Sequence, residues 1–192
     1  MEPTVTAILD HLLAQPPRLG SGRLLAIDGP AGAGKTTLAA AVLEAAGRAV
    51  DSVRVLHMDD VYEGWGGLGS APQRLRNDVL EPMSFGRPGF YRRWDWTADD
   101  WAELHAVQPS DLLILEGVGS GSPELRDHRS TLVFVTAPDT LRLARGLARD
   151  GESARENWTA WMADEHRHFA ANGTECEADL RVDELGRLLG SA

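Results

Sequence analysis

Apolar residues along this chain fall into two kinds of run. The first kind is short and rich in apolar residues. Arg23 to Ile27 is one, Val53 to Met58 a second, Leu112 to Leu115 a third, Leu132 to Val135 a fourth and Ala178 to Val182 a fifth. Apolar-rich runs of this length, bounded by turn residues, predict strands buried on both faces. The second kind recurs at helical spacing. Val5, Ile8, Leu9, Leu12 and Leu13 share one face of a helix predicted over Met1 to Leu13, and an Ala- and Leu-rich helix is predicted from Lys35 to about Ala46. Ser70 is placed to cap a helix running to Leu80. Thr97 with Asp100 three residues on resembles a capping box ahead of a helix over Trp101 to Val107, and Ser153 with Glu156 repeats the signature ahead of a helix to about Ala171. Buried strands separated by helices predict an α/β fold of three layers, a parallel sheet of about five strands with helices on both faces.

The join between the first strand and its helix carries chemistry. Gly29-Pro-Ala-Gly-Ala-Gly-Lys35-Thr36 matches G-x-x-x-x-G-K-[ST] in full, directly after an apolar run and at the opening of a helix. Gly29, Gly32 and Gly34 allow backbone turns closed to other residues. The N–H groups of the loop (Ala31, Gly32, Ala33, Gly34 and on through Lys35, Thr36 and Thr37) then form an anion nest at the positive end of a helix dipole. Lys35 supplies a mobile positive charge for the β- and γ-phosphates and Thr36 a hydroxyl ligand for Mg²⁺. The motif specifies a P-loop NTPase fold binding ATP and Mg²⁺.

Such a site needs a carboxylate at the end of a neighbouring strand for the metal. Glu116, after four apolar residues and before Gly117, has that form. Asp59 and Asp60 follow the second strand, where open parallel sheets bind ligands, and either is placed to take a proton from an attacking hydroxyl. Arg142, Arg145 and Arg149 share one helix face at spacings of three and four, a local basic cluster suited to charge developing on a transferred phosphoryl group.

Bulk properties narrow the rest. At 192 residues the chain is read as one domain, residues 1–192. A net charge of −10 argues against a nucleic-acid surface, which needs an excess of Lys and Arg on one face. The lone Cys176 forms no internal disulfide and fits a reducing compartment. No apolar run approaches the ~20 residues of a membrane helix, and the N-terminus has no basic leader. These features predict a cytoplasmic protein without membrane or nucleic-acid partners; oligomeric state is not legible. Residues 60–109 are rich in Gly, Pro, Arg and Trp without a convincing core strand, and a connection that long is usually functional. Trp94 and Trp96 flank Asp95 there, outside any regular pattern. Trp158, Trp161, Met162 and Phe169 sit at helical spacing and read as core.

Four segments together resemble the uridine kinase and nicotinamide riboside kinase group of P-loop kinases: Asp28 to Thr36, Met58-Asp-Asp-Val-Tyr62, Leu113-Ile-Leu-Glu-Gly117, and Asp139 through Arg142 and Arg145 to Arg149-Asp150. The resemblance implies a transfer of the ATP γ-phosphoryl group to a hydroxyl of a small, nucleoside-like acceptor. It places the base or hydroxyl-positioning role on Asp59, a share of Mg²⁺ binding on Glu116, and phosphate contacts from a lid over residues 142–156 on Arg145 and Arg149. The chain departs from the pattern at Val61, where the group carries an aromatic residue, and after Asp150, where Gly-Glu-Ser-Ala stands in place of an Arg-Gly-Arg-like turn. The 60–109 insertion is then the candidate acceptor site, with Tyr62, Tyr91, Arg93, Trp94 and Asp95 against the acceptor. A nucleotide-dependent regulatory ATPase or switch is the alternative class; the Asn-Lys-x-Asp segment of GTPases is absent from the sequence.

Overall fold

A computed structural model describes residues 1–190. Its main sheet has the order β2-β5-β1-β6-β7-β8, formed by Val53–His57, Leu112–Glu116, Arg23–Asp28, Thr131–Val135, Leu180–Val182 and Leu188–Leu189. The first five strands run parallel and only β8 is antiparallel to its neighbour. The expected five-stranded parallel sheet is therefore present, with β8 added at one edge. β8 is only two exposed residues long, too short to leave an apolar signal.

Alternation along the central strands feeds two cores. Leu24 on β1 and Leu113 and Leu115 on β5 face one side of the sheet; Leu25, Ile27, Leu112 and Ile114 face the other. The second side is covered by α1 (Glu2–Ala14) and α2 (Lys35–Ala46), through Val5, Ile8, Leu9 and Leu12 and through Leu38, Ala39 and Val42. Leu13 falls off that face and is exposed. The first side is covered by a continuous helical stretch, made of α3 (Ala71–Leu75), a π-helical turn (Arg76–Leu80) and α4 (Glu81–Ser84), together with Trp161 of α6 (Arg155–Asn172). Preceding α6 is α5 (Asp139–Asp150), which ends at Gly151 with φ 88°.

Three predicted local features differ. Trp101 to Val107 is not helical: β4 (Asp100–Val107) pairs antiparallel with β3 (Gly89–Asp95) in a hairpin outside the main sheet. The expected capping box is absent because the Asp95 carboxylate takes the N–H groups of Thr97 and Ala98 and closes a turn, and Asp99 adopts φ 53°. The Ser153 and Ser70 caps are likewise unmade. α6 begins two residues later than Ser153, with Ala154 before it, and the Ser70 hydroxyl bonds back to Gly67.

Candidate active site

The phosphate loop sits at the carboxyl end of β1, pressed between β6 and α5. A Cβ on Gly29 would lie 2.0 Å from the Val135 carbonyl oxygen, and one on Gly32 2.8 Å from that of Arg142. Both glycines have positive φ, so only glycine meets both demands. A buried ion pair anchors the loop from behind. The Glu165 carboxylate pairs with the Arg142 guanidinium, both side chains 0% exposed, and also accepts the Ala31 N–H at 2.8 Å. Arg142 in turn donates to the Ala31 carbonyl at 2.9 Å and to Asp139 at 2.7 Å. Arg142 is thus a buried support of the loop and not part of a solvated basic face.

The N–H groups of Gly32, Gly34, Lys35 and Thr36 have no acceptor among the described residues, as the first turn of a helix requires. They converge with the Lys35 ammonium, which donates to the Pro30 carbonyl at 3.0 Å. Such a cradle fits a chain of phosphates. Thr36 Oγ1 lies 3.2 and 3.3 Å from the two oxygens of Glu116, the last residue of β5. Among the described residues no group of three or more His, Cys, Asp or Glu forms a metal cage. Mg²⁺ in phosphate sites takes one or two protein ligands and completes its shell with phosphate oxygens and water. The Thr36–Glu116 pair fits that requirement.

Two further groups were not singled out from the sequence. His57 Nδ1 is 2.6 Å from Glu116, whose carboxylate favours the protonated ring and raises its pKa. Register explains the meeting: His57 and Glu116 are paired ends of β2 and β5. Asp28 is 0% exposed and accepts from the N–H groups of Gly29, Gly119 and Gly121, tying the phosphate loop to the turn after Glu116. Burial outweighs these bonds and the nearby Lys35 charge, and raises its pKa from 3.8 to about 6. A folded-state pKa above the unfolded one means that the native protein holds the proton longer. Asp28 therefore costs stability as pH rises from about 4 to 6, by about 3 kcal/mol in total. Asp28→Asn removes that term, so its stability relative to wild type is expected to improve across this window. Urea unfolding at pH 4.5 and pH 7 measures it; a pH-independent difference contradicts the assignment.

The loop opens onto a cavity of about 860 Å³. Its walls include residues 31–38 of the loop and α2, Asp59, Asp60, Tyr62, Glu116, Arg145 and Arg149, and the aromatic group Trp65, Trp94, Trp96, Trp158 and Trp161. Asp59 is exposed toward the cavity, but the protein packed around its carboxyl raises its pKa, with Lys35 and Arg149 opposing the rise and Glu116 and Asp60 adding to it. Trp96 Nε1 donates to the Asp59 carbonyl at 3.0 Å and so fixes the hairpin over this acid. Arg145 donates to the Gly32 carbonyl at 2.9 Å. Arg149 is held by Asp150 at 2.7 Å, which raises its pKa.

Not every expected acceptor residue faces this space. Arg93 and Trp94 line it, and so does Tyr62, although its hydroxyl is committed to the Val118 carbonyl at 2.5 Å and its burial raises its pKa well above the ordinary value. Tyr91 and Asp95 are not among the lining residues. Tyr91 lies on the far side of the bulge between Arg92 and Trp94, which breaks the register it would otherwise share with Arg93. It stacks on His105 and approaches Asp60 at 3.5 Å, and burial and Asp60 push its pKa up to about 12. Asp95 is spent on its turn and on Arg93. Trp158 and Trp161, read as core, also line it, because helical spacing shows which face is buried but not whether that face ends at a cavity; Trp65, on the Gly64–Gly69 turn, carried no periodic signal.

No protein-family model matches the chain, and neither does any curated protein. Solved structures do resemble it. A protein described as a possible uridine kinase from Bacillus stearothermophilus is 21% identical, with a TM-score of 0.70 over 95% of this chain and 98% of that one. A protein described as a fructose transport system kinase from Silicibacter sp. TM1040 is 18% identical, with a TM-score of 0.64 over 88% and 94%. A D-glycerate 3-kinase from Cryptococcus neoformans is 12% identical, with a TM-score of 0.63 over 100% and 98%. The chain has the P-loop kinase fold. Within this fold the Gly29–Thr37 loop, Glu116 and the Arg145–Arg149 face meet around one cavity. Among the described residues no helix is long and apolar enough to cross a membrane.

Proposed function

We propose that this protein is a kinase that uses ATP and Mg²⁺ to phosphorylate a hydroxyl of a small molecule, and that residues 1–192 form one domain. The observation that carries the reading is the convergence of three things on one cavity: the N–H cradle with Lys35, the Thr36–Glu116 pair, and Asp59. A regulatory switch has no need of an indole-walled space beside its phosphate site.

In this reading the loop and Lys35 bind the phosphates, and Thr36 and Glu116 hold Mg²⁺, which supplies charge neutralisation at the phosphate oxygens. Asp59 accepts the proton of the acceptor hydroxyl as its oxygen bonds to the terminal phosphorus and the bond to the departing diphosphate breaks. Arg145 and Arg149 balance the charge on the transferred group. Residues 142–156 serve as the lid, with the arginine face of α5 closing on the nucleotide and excluding water. Residues 60–109 carry the acceptor walls. The indole surfaces, and the resemblance to uridine kinases, favour a ring-bearing, nucleoside-like acceptor.

Asp59→Asn keeps the shape of the side chain and removes its basicity. It is expected to lower kcat by about 10²–10⁴-fold, the usual share of a general base, while ADP affinity by calorimetry stays near wild type. Unchanged kcat in this variant would move the role to Asp60 or to no residue at all.

A further inference from the structure

Arg149, the last arginine on the α5 face, is held by two residues that the site has not otherwise used. The Asp150 carboxylate grips one edge of its guanidinium, Oδ1 accepting from Nε at 2.7 Å and Oδ2 from Nη2 at 2.9 Å. The same Oδ2 accepts the Trp158 Nε1–H at 2.8 Å. The triangle closes at the indole, whose ring centroid lies 5.6 Å from the Arg149 guanidinium carbon, within cation–π range. Trp158 is itself fixed. It is 2% exposed, and a Cβ on Gly146 of α5 would lie 2.4 Å from its ring. Residues one apart on a helix do not ordinarily face each other. The Arg149–Asp150 pair forms only at the end of α5, just before Gly151 with φ 88°.

A guanidinium carries five N–H groups. Asp150 uses one on Nε and one on Nη2, so both on Nη1 and the second on Nη2 have no acceptor among the described residues. Burial does not hold this side chain, which is 67% exposed and lines the cavity with the phosphate loop. A long side chain this open would otherwise spread over many rotamers. Its charge lowers the pKa of Asp59, and the Asp59 charge raises its own, so the guanidinium stands near that acid.

We propose that Asp150 and Trp158 are positioning residues: together they hold the Arg149 guanidinium by one edge and present its free N–H groups to the terminal phosphate of a bound nucleoside triphosphate. This rests on the kinase reading. Arg149 meets the phosphate, and Asp150 and Trp158 act only through it, by fixing the donors before the nucleotide arrives.

The test needs no acceptor. Calorimetry on the full-length protein with Mg²⁺ gives the affinities of ADP and of the non-hydrolysable triphosphate AMP-PNP, and their ratio reports contacts to the terminal phosphate. Wild type is expected to prefer AMP-PNP, and Arg149→Ala to lose about tenfold of that preference. Asp150→Asn, and Trp158→Phe, which keeps a ring but not the indole N–H, should each lose about three- to tenfold while ADP affinity stays near wild type. Asp150→Asn should add nothing in the Arg149→Ala background, the outcome of a residue that works through Arg149 alone. Asp150 is 27% exposed and the change is nearly isosteric, so this cycle stands even if Trp158→Phe folds poorly. An undiminished preference in Asp150→Asn, a loss shared equally by ADP and AMP-PNP, or a loss that persists in the Arg149→Ala background overturns the proposal. So does a wild type that binds both nucleotides equally, with the kinase reading left intact. A wild type that binds neither nucleotide removes the kinase reading itself.

Discussion

Glu165→Gln is expected to destabilise the protein by about 3–5 kcal/mol, the usual result of removing one partner of a buried ion pair. The change is nearly isosteric, so packing is preserved and only charge is lost. It leaves the Arg142 guanidinium, 0% exposed, without its main counter-ion; the remaining partner, Asp139, is mostly solvated. The loss extends to the site, because Glu165 also holds the Ala31 N–H and Arg142 the Ala31 carbonyl. ADP affinity should therefore fall together with the melting temperature, although neither residue lines the cavity. The combined Arg142→Met/Glu165→Leu variant should be less destabilised than Glu165→Gln alone, since no buried charge is left unpaired. Urea unfolding of the three proteins decides this. Equal losses in the single and double variants would show that an unpaired buried charge is not what the single change costs.

The second large effect is expected at Lys35. Lys35→Ala should lower kcat/KM for ATP-dependent phosphorylation by about 10²–10³-fold, on the scale of removing one transition-state charge or donor. Stability should change little. Among the described residues the ammonium makes a single hydrogen bond, to the Pro30 carbonyl, and it borders the cavity. A variant that melts like wild type but no longer transfers phosphate places Lys35 on the reacting phosphates. A large loss of stability would show instead that Lys35 is a strut of the loop.

How much of this was legible follows the reach of each signal. β1, the loop and α2 are specified by contiguous residues, and the helix starts at Lys35 as expected. β5 and β6 are nearly continuous apolar runs and were legible for the same reason, whereas β2 and β7, interrupted by Arg54 and Arg181, carried a weaker signal. The β3–β4 hairpin was not, because Trp101 to Val107 satisfies a capping rule locally while its partner strand decides its state. Asp95 shows the same limit within the site: its type suits ligand binding, but its oxygens are taken by the backbone two and three residues on. His57 and Glu165 carry no motif, and Asp28 only opens the phosphate-loop segment without a role of its own there. Each acquires its place through register or through contacts more than fifty residues away. The tryptophans could be counted in the sequence, but their enclosure of one space depends on how α6 and the Gly64–Gly69 turn pack against each other.

The most direct test of the central claim is product formation. The purified protein is incubated with Mg·ATP and a panel of nucleosides, amino alcohols, sugars and vitamin precursors, and the mixture is examined by mass spectrometry. A phosphorylated acceptor made by wild type and lost in Lys35→Ala and Asp59→Asn is the predicted result. Hydrolysis of ATP to ADP and inorganic phosphate, with no acceptor modified and no effect of Asp59→Asn, would contradict it and point to a nucleotide switch instead.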